Sequence, residues 1–457
     1  MKSKNHLQNI LYGVAVGDAL GVPVEFKSRD YLKQNPVNTM QGFGTHDVKA
    51  GVWSDDSSLT FCLAESINEG LDLQQLANKF IAWKNENYWT PQGEVFDIGI
   101  ATSIAIDRLA KGIKPELAGG FEEWDNGNGS LMRILPLVLY CKDKTIFERF
   151  QITKEVSSLT HRHIRSVIGC FYYLEFAKQI MEGKDKFEIY KNLKKEVTDF
   201  LKSLNINTPE IAIYNRLLNG NIYELEEDEI KSSGYVVHTL EASIWCLLTT
   251  NNYVDAVLKA VNLGEDTDTT GAVTGGLAGM LYGFETIPQF WITDLPKIAE
   301  INQLIYQFHK KTMEIKGLIS YRYVRTNTGE GEGFSRNYPP VDHQAEVSLF
   351  LPDEEGKNVL AFQLEYPKYP HNLAIRYTFD EVFSRKTDIG SIGLFLNNIT
   401  FLDDNQVFFI GSFANCDDKN DCYDTFEFSM YFKHENLKSA IMSSTIYADT
   451  MMLVSEM

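Results

Sequence analysis

The sequence predicts an all-α unit followed by a smaller β-rich domain of the α+β class. From residue 7 to about residue 316, apolar residues recur at three- and four-residue spacing, for example at 73–83, 171–180 and 237–248. This spacing is typical of helices with one buried face. After residue 320, short β-branched and aromatic runs alternate with Asp, Asn, Gly and Pro, as in a sheet with tight turns. The length of 457 residues also favours two units over one core.

A glycine- and proline-rich stretch at residues 326–340 separates these two regions. Its composition is typical of a linker or long loop. We therefore predict a helical domain at residues 1–320, a linker at 321–340 and a β-rich domain at 341–457. The β-rich domain is predicted to hold one or two helices and strands near 345–351, 359–366, 373–379, 393–401, 406–413 and 425–432.

The chain is acidic, with a formal net charge of −19 at pH 7. A charge of this sign opposes a phosphate backbone or an anionic lipid surface, so it argues against nucleic-acid and membrane binding. It suits a basic protein partner. The residues after Ser320 hold 11 basic and 21 acidic side chains, so a formal charge of −10 lies in the last 137 residues.

The cysteines and the N-terminus indicate a cytoplasmic protein. The six cysteines have no C-x-x-C metal spacing, and we expect them to be reduced thiols. The first nine residues are polar and precede no apolar signal region. No apolar stretch is expected to approach the roughly 20 residues that a bilayer span needs. Delivery into a host cell by a signal of another kind is the alternative.

The segment Ser54-Asp55-Asp56-Ser57 opens a helical run and gathers hydroxyl and carboxylate oxygens at the start of a helix. Such oxygens are ligands for hard cations such as Mg²⁺ or Mn²⁺. An ordinary helix cap is the alternative interpretation, because Ser and Asp are favoured caps and acidic residues favour the first turn.

A second oxygen-rich turn places Asp266, Asp268 and Thr269 immediately before a helical run with a glycine at every fourth position, from Gly271 to Gly283. The glycines predict close helix packing at the centre of the helical unit. Two oxygen-rich turns would bring four carboxylates together, and like charges at short range need a cation to neutralise them. The two turns together predict a binuclear metal site.

Three further carboxylates lie near predicted helix ends. Asp18, in the segment Gly17 to Gly21, is expected to accept structural hydrogen bonds. Glu25 follows that helix and precedes a polar loop, a position from which it can orient a water molecule in a cleft. Asp97 precedes another helical run, and an N-cap is its alternative role.

The segment 125–133 runs from a tight turn into an apolar stretch and is predicted to leave backbone N–H groups free at a helix start, where a phosphate can bind. It does not match the G-x-G-x-x-G pattern, and no strand of a βαβ unit precedes it, so a Rossmann site is excluded. His161 and His163 are two residues apart and are expected to face different directions. His161 is the better candidate for function.

In this order, the motifs resemble those of the ADP-ribosylglycohydrolases, including the bacterial dinitrogenase-reductase-activating glycohydrolases and their animal relatives. The resemblance covers about residues 7–316. It rests on five segments: Gly17 to Gly21 with Glu25, Ser54 to Ser57, Phe96 to Gly99, Gly127 to Arg133, and Asp266 to Thr269. It implies an orthogonal all-α helical bundle with two Mg²⁺ or Mn²⁺ ions at the floor of a cleft.

The resemblance also implies a role for each motif residue. The implied metal ligands are Ser54, Asp55, Asp56, Asp266, Asp268 and Thr269. Ser54 stands where the family usually has Thr, which keeps the oxygen ligand. The implied contacts with ADP-ribose are Gly127, Asn128, Gly129, Ser130 and His161. Glu25 is expected to activate water, with Asp97 as a helper.

The function implied is metal-dependent hydrolysis that removes ADP-ribose from a modified protein side chain. Arginine is the favoured side chain, because a departing guanidine is readily protonated. One alternative is an immunity or effector-partner protein that reverses or blocks a specific ADP-ribosyltransferase. The other is a non-catalytic ADP-ribose-binding relative, which would be marked by loss of the ligand carboxylates, and all four are present.

Overall fold

The protein is described by a computed structural model that covers residues 5–312 and, after them, residues 314–324, 342–350, 362–364, 386–387, 390–403, 405–416 and 422–433. The chain divides into two compact units, Met1–Tyr306 and Gln307–Met457.

Residues 5–312 are helical and, apart from two single bridges, contain no β structure. The α-helices are α1 His6–Gly21, α2 Arg29–Gln34, α3 Asp55–Glu69, α4 Leu73–Glu86, α5 Ile100–Ala110, α6 Pro115–Ala118, α7 Leu137–Cys141, α8 Ile146–Ser158, α9 Ile164–Met181, α10 Lys186–Ser203, α11 Thr208–Ala212, α12 Asn215–Leu218, α13 Val236–Leu248, α14 Tyr253–Val261, α15 Thr267–Tyr282, α16 Gln289–Thr293 and α17 Ile298–Thr312. The all-α prediction for this unit is confirmed.

Helices α1 and α15 form the centre of this unit and touch through glycines. A Cβ atom added to Gly13 would lie 2.4 Å from the carbonyl oxygen of Gly275, and one added to Gly17 would lie 2.1 Å from that of Gly271. No larger side chain fits at such distances without a backbone shift. The close packing predicted from the glycine stripe is therefore confirmed.

Residues His6–Val24 are long and apolar enough to meet a length-and-hydropathy criterion for a membrane span, with a mean hydropathy of 1.2. The expectation that no stretch reaches this length was wrong. Burial explains the composition, because 94% of this window lies inside the helical unit. A core helix surrounded by other helices is apolar on every face.

The described residues of the second unit contain seven strands: β1 Glu314–Val324, β2 Asp342–Phe350, β3 Phe362–Leu364, β4 Lys386–Thr387, β5 Gly390–Asp403, β6 Gln406–Cys416 and β7 Cys422–Lys433. They form one antiparallel sheet in the order β3-β2-β1-β7-β6-β5-β4. The predicted strand at 373–379 lies outside the described residues.

Strand β1 crosses the domain boundary that was predicted at residue 320. It pairs with both β2 and β7, so residues 314–324 belong to the sheet. The predicted linker at 321–340 therefore begins inside a strand, and its remainder lies outside the described residues. The Gly- and Pro-rich stretch at residues 326–340, from which the boundary was predicted, follows β1 in the sequence.

Candidate active site

The candidate site forms where the end of α1 meets the first turns of α3 and α15. A Cβ atom added to Gly21 would lie 2.4 Å from the backbone nitrogen and Cα of Asp268, so only glycine permits this approach. The Thr267 hydroxyl also donates to the Gly21 carbonyl at 2.8 Å. The α15 turn is thereby fixed to the end of α1.

Asp18 ties α1 to the start of α3. One of its oxygens accepts from the backbone N–H of Ser54 at 2.9 Å. The other accepts from the Ser57 backbone N–H at 3.0 Å and from the Ser57 hydroxyl at 2.6 Å. Complete burial raises the pKa of Asp18 to about 6. Asp18 is a structural acceptor, as the sequence suggested.

The two oxygen-rich turns predicted as metal ligands meet at Asp56. Ser54 caps α3 and donates its hydroxyl to Asp56 Oδ2 at 3.1 Å. From α15, the hydroxyl of Thr269 donates to the same oxygen at 3.3 Å, although the two residues are 213 positions apart. Asp55, Asp56 and Asp268 are buried beside them.

Glu25 joins two groups of possible ligand atoms. In one group, oxygens of Glu25, Asp266 and Asp268 all lie within 4.8 Å of one another. In the other, atoms of Glu25, His46 and Asp97 lie equally close. Glu25 and Asp97, the predicted catalytic pair, therefore lie beside the predicted ligands.

The carboxylates of this cluster resist ionisation. Burial, followed by the charge of Asp97 for Asp55 and of Asp18 for Asp56, raises the pKa of both groups well above the usual range. Burial and then Glu25 raise the pKa of Asp268 in the same way. Neutral carboxyl groups or a bound cation can relieve such crowding.

Two buried oxygens in this cluster bear on cation binding. Asp56 Oδ1 and Asp268 Oδ2 have no hydrogen-bond partner among the described residues. An unpartnered buried carboxylate oxygen costs free energy unless a proton, a water or a cation satisfies it. With hydroxyl and carboxylate neighbours, this donor set fits a hard divalent cation.

Asp97 lies beside Glu25 with a left-handed backbone, at φ 55°. Helix α5 begins at Ile100 and is capped by Gly99, so Asp97 is not an N-cap. Burial, then the charge of Glu25, raises the pKa of Asp97 to about 7. Burial and the charge of Asp266 raise the pKa of Glu25 to about 8.

The Gly127–Gly129 loop joins the cluster through Asn128. The Asn128 amide donates to Asp266 Oδ2 at 2.7 Å and to the Thr239 hydroxyl at 2.9 Å. Its backbone N–H donates to the Gly234 carbonyl at 3.0 Å. The predicted helix start with free N–H groups is wrong here, because α7 begins only at Leu137 and the Asn128 N–H is already bonded.

His161 packs against this loop in a space that only glycines leave open. A Cβ atom on Gly129 would lie 2.8 Å from the ring, and one on Gly127 would lie 3.3 Å from Nε2. Burial and then the nearby Arg133 lower the pKa of His161 to about 3, so the ring is neutral. By contrast, His163 caps α9 and accepts from the backbone N–H of Arg165 at 3.2 Å.

Ser130 faces the core. Its hydroxyl accepts from Ser157 at 3.0 Å and contacts the Cys170 sulfur at 3.4 Å. A contact between this residue and a substrate would have to come from its backbone. Next to it, the buried Arg133 donates to the carbonyls of Gly129 and Val156 and supports the loop from behind.

His46 is the site residue that the sequence analysis missed. Its Nε2 lies 2.5 Å from Glu25 Oε2. The residue belongs to the irregular segment between α2 and α3, where no periodicity marks one face. The polar sequence Thr45-His46-Asp47 shortly before the Ser54 motif was the available signal.

The residues of the candidate site lie in a part of the chain that is similar in sequence to known proteins. The family model described as ADP-ribosylglycohydrolase matches residues 2–316. The protein described as ADP-ribosylarginine hydrolase Tri1 from Serratia proteamaculans is 32% identical over 309 residues, which are 67% of this chain and 79% of that protein. The ADP-ribosyl-[dinitrogen reductase] glycohydrolase of Rhodospirillum rubrum is 26% identical over 294 residues, which are 63% of this chain and 89% of that protein.

A solved structure is also similar to this chain. A chain of an ADP-ribosylglycohydrolase-related protein complex superposes with a TM-score of 0.56 at 28% identity, covering 68% of this chain and 98% of its own length. The family match covers more than half of the sequence and includes every residue of the candidate site. The chain therefore belongs to the ADP-ribosylglycohydrolase family.

Proposed function

We propose that residues 5–312 hydrolyse the glycosidic bond between ADP-ribose and a modified arginine side chain of a protein. The convergence of Asp55, Asp56, Asp266 and Asp268 with Glu25 carries the proposal, since a buried acidic cluster of this density has no stabilising role of its own. The Serratia relative is named as an ADP-ribosylarginine hydrolase, which supports arginine as the linkage.

The acidic cluster suits two divalent cations, Mg²⁺ or Mn²⁺. We propose that Ser54, Asp55 and Asp56 hold them from α3, and that Asp266, Asp268 and Thr269 hold them from the α15 turn. The unpartnered oxygens of Asp56 and Asp268 support this assignment. When bound, the cations supply positive charge that offsets the carboxylates and attracts the ribose hydroxyls.

Glu25 and Asp97 are the proposed proton-transfer groups. Hydrolysis needs a base that takes a proton from the attacking water as the bond from the anomeric carbon to the leaving nitrogen breaks. The leaving guanidine gains a proton. Glu25 has a pKa of about 8 in the absence of a cation, so nearby positive charge would bring it into the range of a base at neutral pH.

The Gly127–Gly129 loop and His161 are the proposed contacts with ADP-ribose. Asn128 connects this loop to Asp266, so a ligand on the loop is held at a fixed distance from the acidic cluster. A neutral His161 ring offers a hydrogen-bonding nitrogen without adding charge.

Incubation with arginine-, serine- and O-acetyl-linked ADP-ribose, each with Mg²⁺ or Mn²⁺, tests the proposal. Release of free ADP-ribose from the arginine-linked substrate, and its loss in excess chelator, is the expected result. Release from none of the three would contradict hydrolysis, and release only from another linkage would contradict arginine.

We also propose that the β-rich unit after residue 306 recognises a protein partner. The family match ends at residue 316, so the sheet lies almost wholly outside the matched region. The formal charge of −10 after Ser320 suits a basic surface, either of the modified target or of a cognate ADP-ribosyltransferase that the protein would block.

A further inference from the structure

His46 contacts Glu25, the proposed base. It lies on a loop that is attached to the chain segment carrying Glu25. The Thr45 hydroxyl donates to the Glu25 carbonyl at 2.7 Å, and the Thr45 N–H donates to the Pro23 carbonyl at 3.0 Å. Gly44 makes this approach possible, because it has a φ of +81° and an added Cβ would lie 2.1 Å from the Pro23 oxygen. Residues 44–46 are therefore held against residues 23–25 by backbone and side-chain contacts.

Aromatic rings limit the orientations open to the imidazole. The ring centroid of His46 lies 5.2 Å from that of Phe96 and 6.2 Å from that of Phe26. Phe96 precedes Asp97 and Phe26 follows Glu25, so His46 lies between the two chain segments that carry the proposed proton-transfer groups. Its side chain is 16% exposed, and that of Glu25 is 5% exposed.

Glu25 needs a partner of this kind. Its carboxylate faces Asp266, and repulsion between these two charges would favour its rotation away from the cluster. The short contact with His46 Nε2 engages one of its two oxygens. The Asp97 side chain also hydrogen-bonds to Glu25, so the carboxyl group is held from two sides.

We infer that His46 is a positioning residue, which holds the Glu25 carboxylate in its working orientation through the Nε2–Oε2 hydrogen bond. The inference rests on the proposed function and adds to it a residue outside the motifs that carried the family resemblance. In this role His46 acts through Glu25.

The test compares His46→Ala with His46→Gln, whose side-chain amide can place a donor near the position of Nε2. We expect His46→Ala to lower kcat about 10- to 100-fold, the usual cost of losing a partner that orients an active-site group. KM should change less than about threefold, and His46→Gln should recover most of kcat. His163→Gln is the matched control, because His163 caps a helix away from Glu25.

A double variant separates positioning from general support of the fold. In a Glu25→Gln background, adding His46→Ala should leave the residual kcat unchanged, because no base remains to be oriented. Independent losses that multiply in the double variant would overturn the inference. A wild-type protein inactive on every linkage would instead contradict the proposed function, whereas an active wild type matched by His46→Ala would contradict the positioning role alone.

Cation affinity supplies a readout that does not depend on turnover. By calorimetric titration, His46→Ala should bind Mn²⁺ with a Kd within about threefold of the wild type, because a positioning residue is not a ligand. A loss of about tenfold or more would make His46 a metal ligand and overturn the inference.

Discussion

At the residue scale, the buried acidic cluster lowers the stability of the folded protein, and we attribute its presence to the proposed hydrolysis. Asp55, Asp56 and Asp268 are buried close together with raised pKa values, a combination that opposes folding when all of them ionise. Ser54 and Thr269 supply hydroxyl donors to Asp56, yet Asp56 still has one unpartnered oxygen. Such an arrangement is stable only when protons or cations balance the charge.

Removal of single carboxylates tests this assignment. We expect Asp55→Ala, Asp56→Ala and Asp268→Ala each to lower kcat at least about 100-fold while the protein stays folded, because each removes charge from an electrostatic site. Circular dichroism checks the fold, and release of ADP-ribose gives the rate. Asp143→Asn, an exposed carboxylate, is the control. Full activity in Asp55→Ala/Asp56→Ala would contradict the metal mechanism.

The same carboxylates predict how stability depends on pH. Glu25 and Asp97 have pKa values of about 8 and about 7 in the metal-free protein, above their values in an unfolded chain. Between about pH 4 and pH 8 the folded state therefore binds more protons than the unfolded state, so the free energy of unfolding falls as pH rises.

We expect calorimetry to give a lower unfolding temperature for the metal-free protein at pH 8 than at pH 6. Mn²⁺ should stabilise the protein more at pH 8, since cation binding replaces the bound protons. Glu25→Gln should weaken this pH dependence. Equal unfolding temperatures for the metal-free protein at both pH values would contradict the prediction.

At the element scale, helix ends and one loop set the geometry of the site. The first turns of α3 and α15 present the acidic residues, and Asp18 and Gly21 of α1 hold those turns in place. Asn128 attaches the glycine loop to the α15 turn. Each of these elements is a short local segment of the sequence. The site is created by the contacts between them.

The two histidines that flank Arg162 belong to different elements and should respond differently to substitution. We expect His161→Ala to raise the Kd for ADP-ribose about tenfold or more, because its ring packs on the Gly127–Gly129 loop. His163→Ala should leave that Kd unchanged and lower stability by about 0.5–1 kcal/mol, as a lost helix cap does. Calorimetric binding and thermal unfolding give both values, and the opposite ranking would show that His163 is the ligand contact.

At the scale of the whole molecule, the chain combines a helical catalytic unit with a sheet after residue 312. The chain divides into two compact units, and every residue of the candidate site lies in the first. Charge on the second unit would act mainly on the rate of association with a basic partner, an effect that salt screens.

Truncation separates recognition from catalysis. We expect residues 1–312 to stay soluble and to hydrolyse a small arginine-linked substrate at the rate of the full chain. Against the modified protein target, kcat/KM should fall, and in the full chain it should decrease with rising salt. Aggregation of the fragment, or undiminished activity on the protein target, would contradict the recognition role.

The sequence by itself determined the helical class of the first unit, the glycine packing of its centre and the residue types of the site. These follow from local patterns, namely 3.6-residue periodicity, Gly at every fourth position and oxygen-rich residues at helix starts. The sequence placed the domain boundary at residue 320, ahead of the Gly- and Pro-rich stretch, whereas strand β1 begins at Glu314.

Only the tertiary structure decided which of these residues meet. It joined Asp56 to Thr269 across 213 positions, turned Ser130 into the core and placed His46 on Glu25. No local pattern contains such contacts, because they depend on how distant segments pack around α1 and α15. A loop residue such as His46 has no periodicity to reveal its direction, so its contact with Glu25 is visible only in the folded chain.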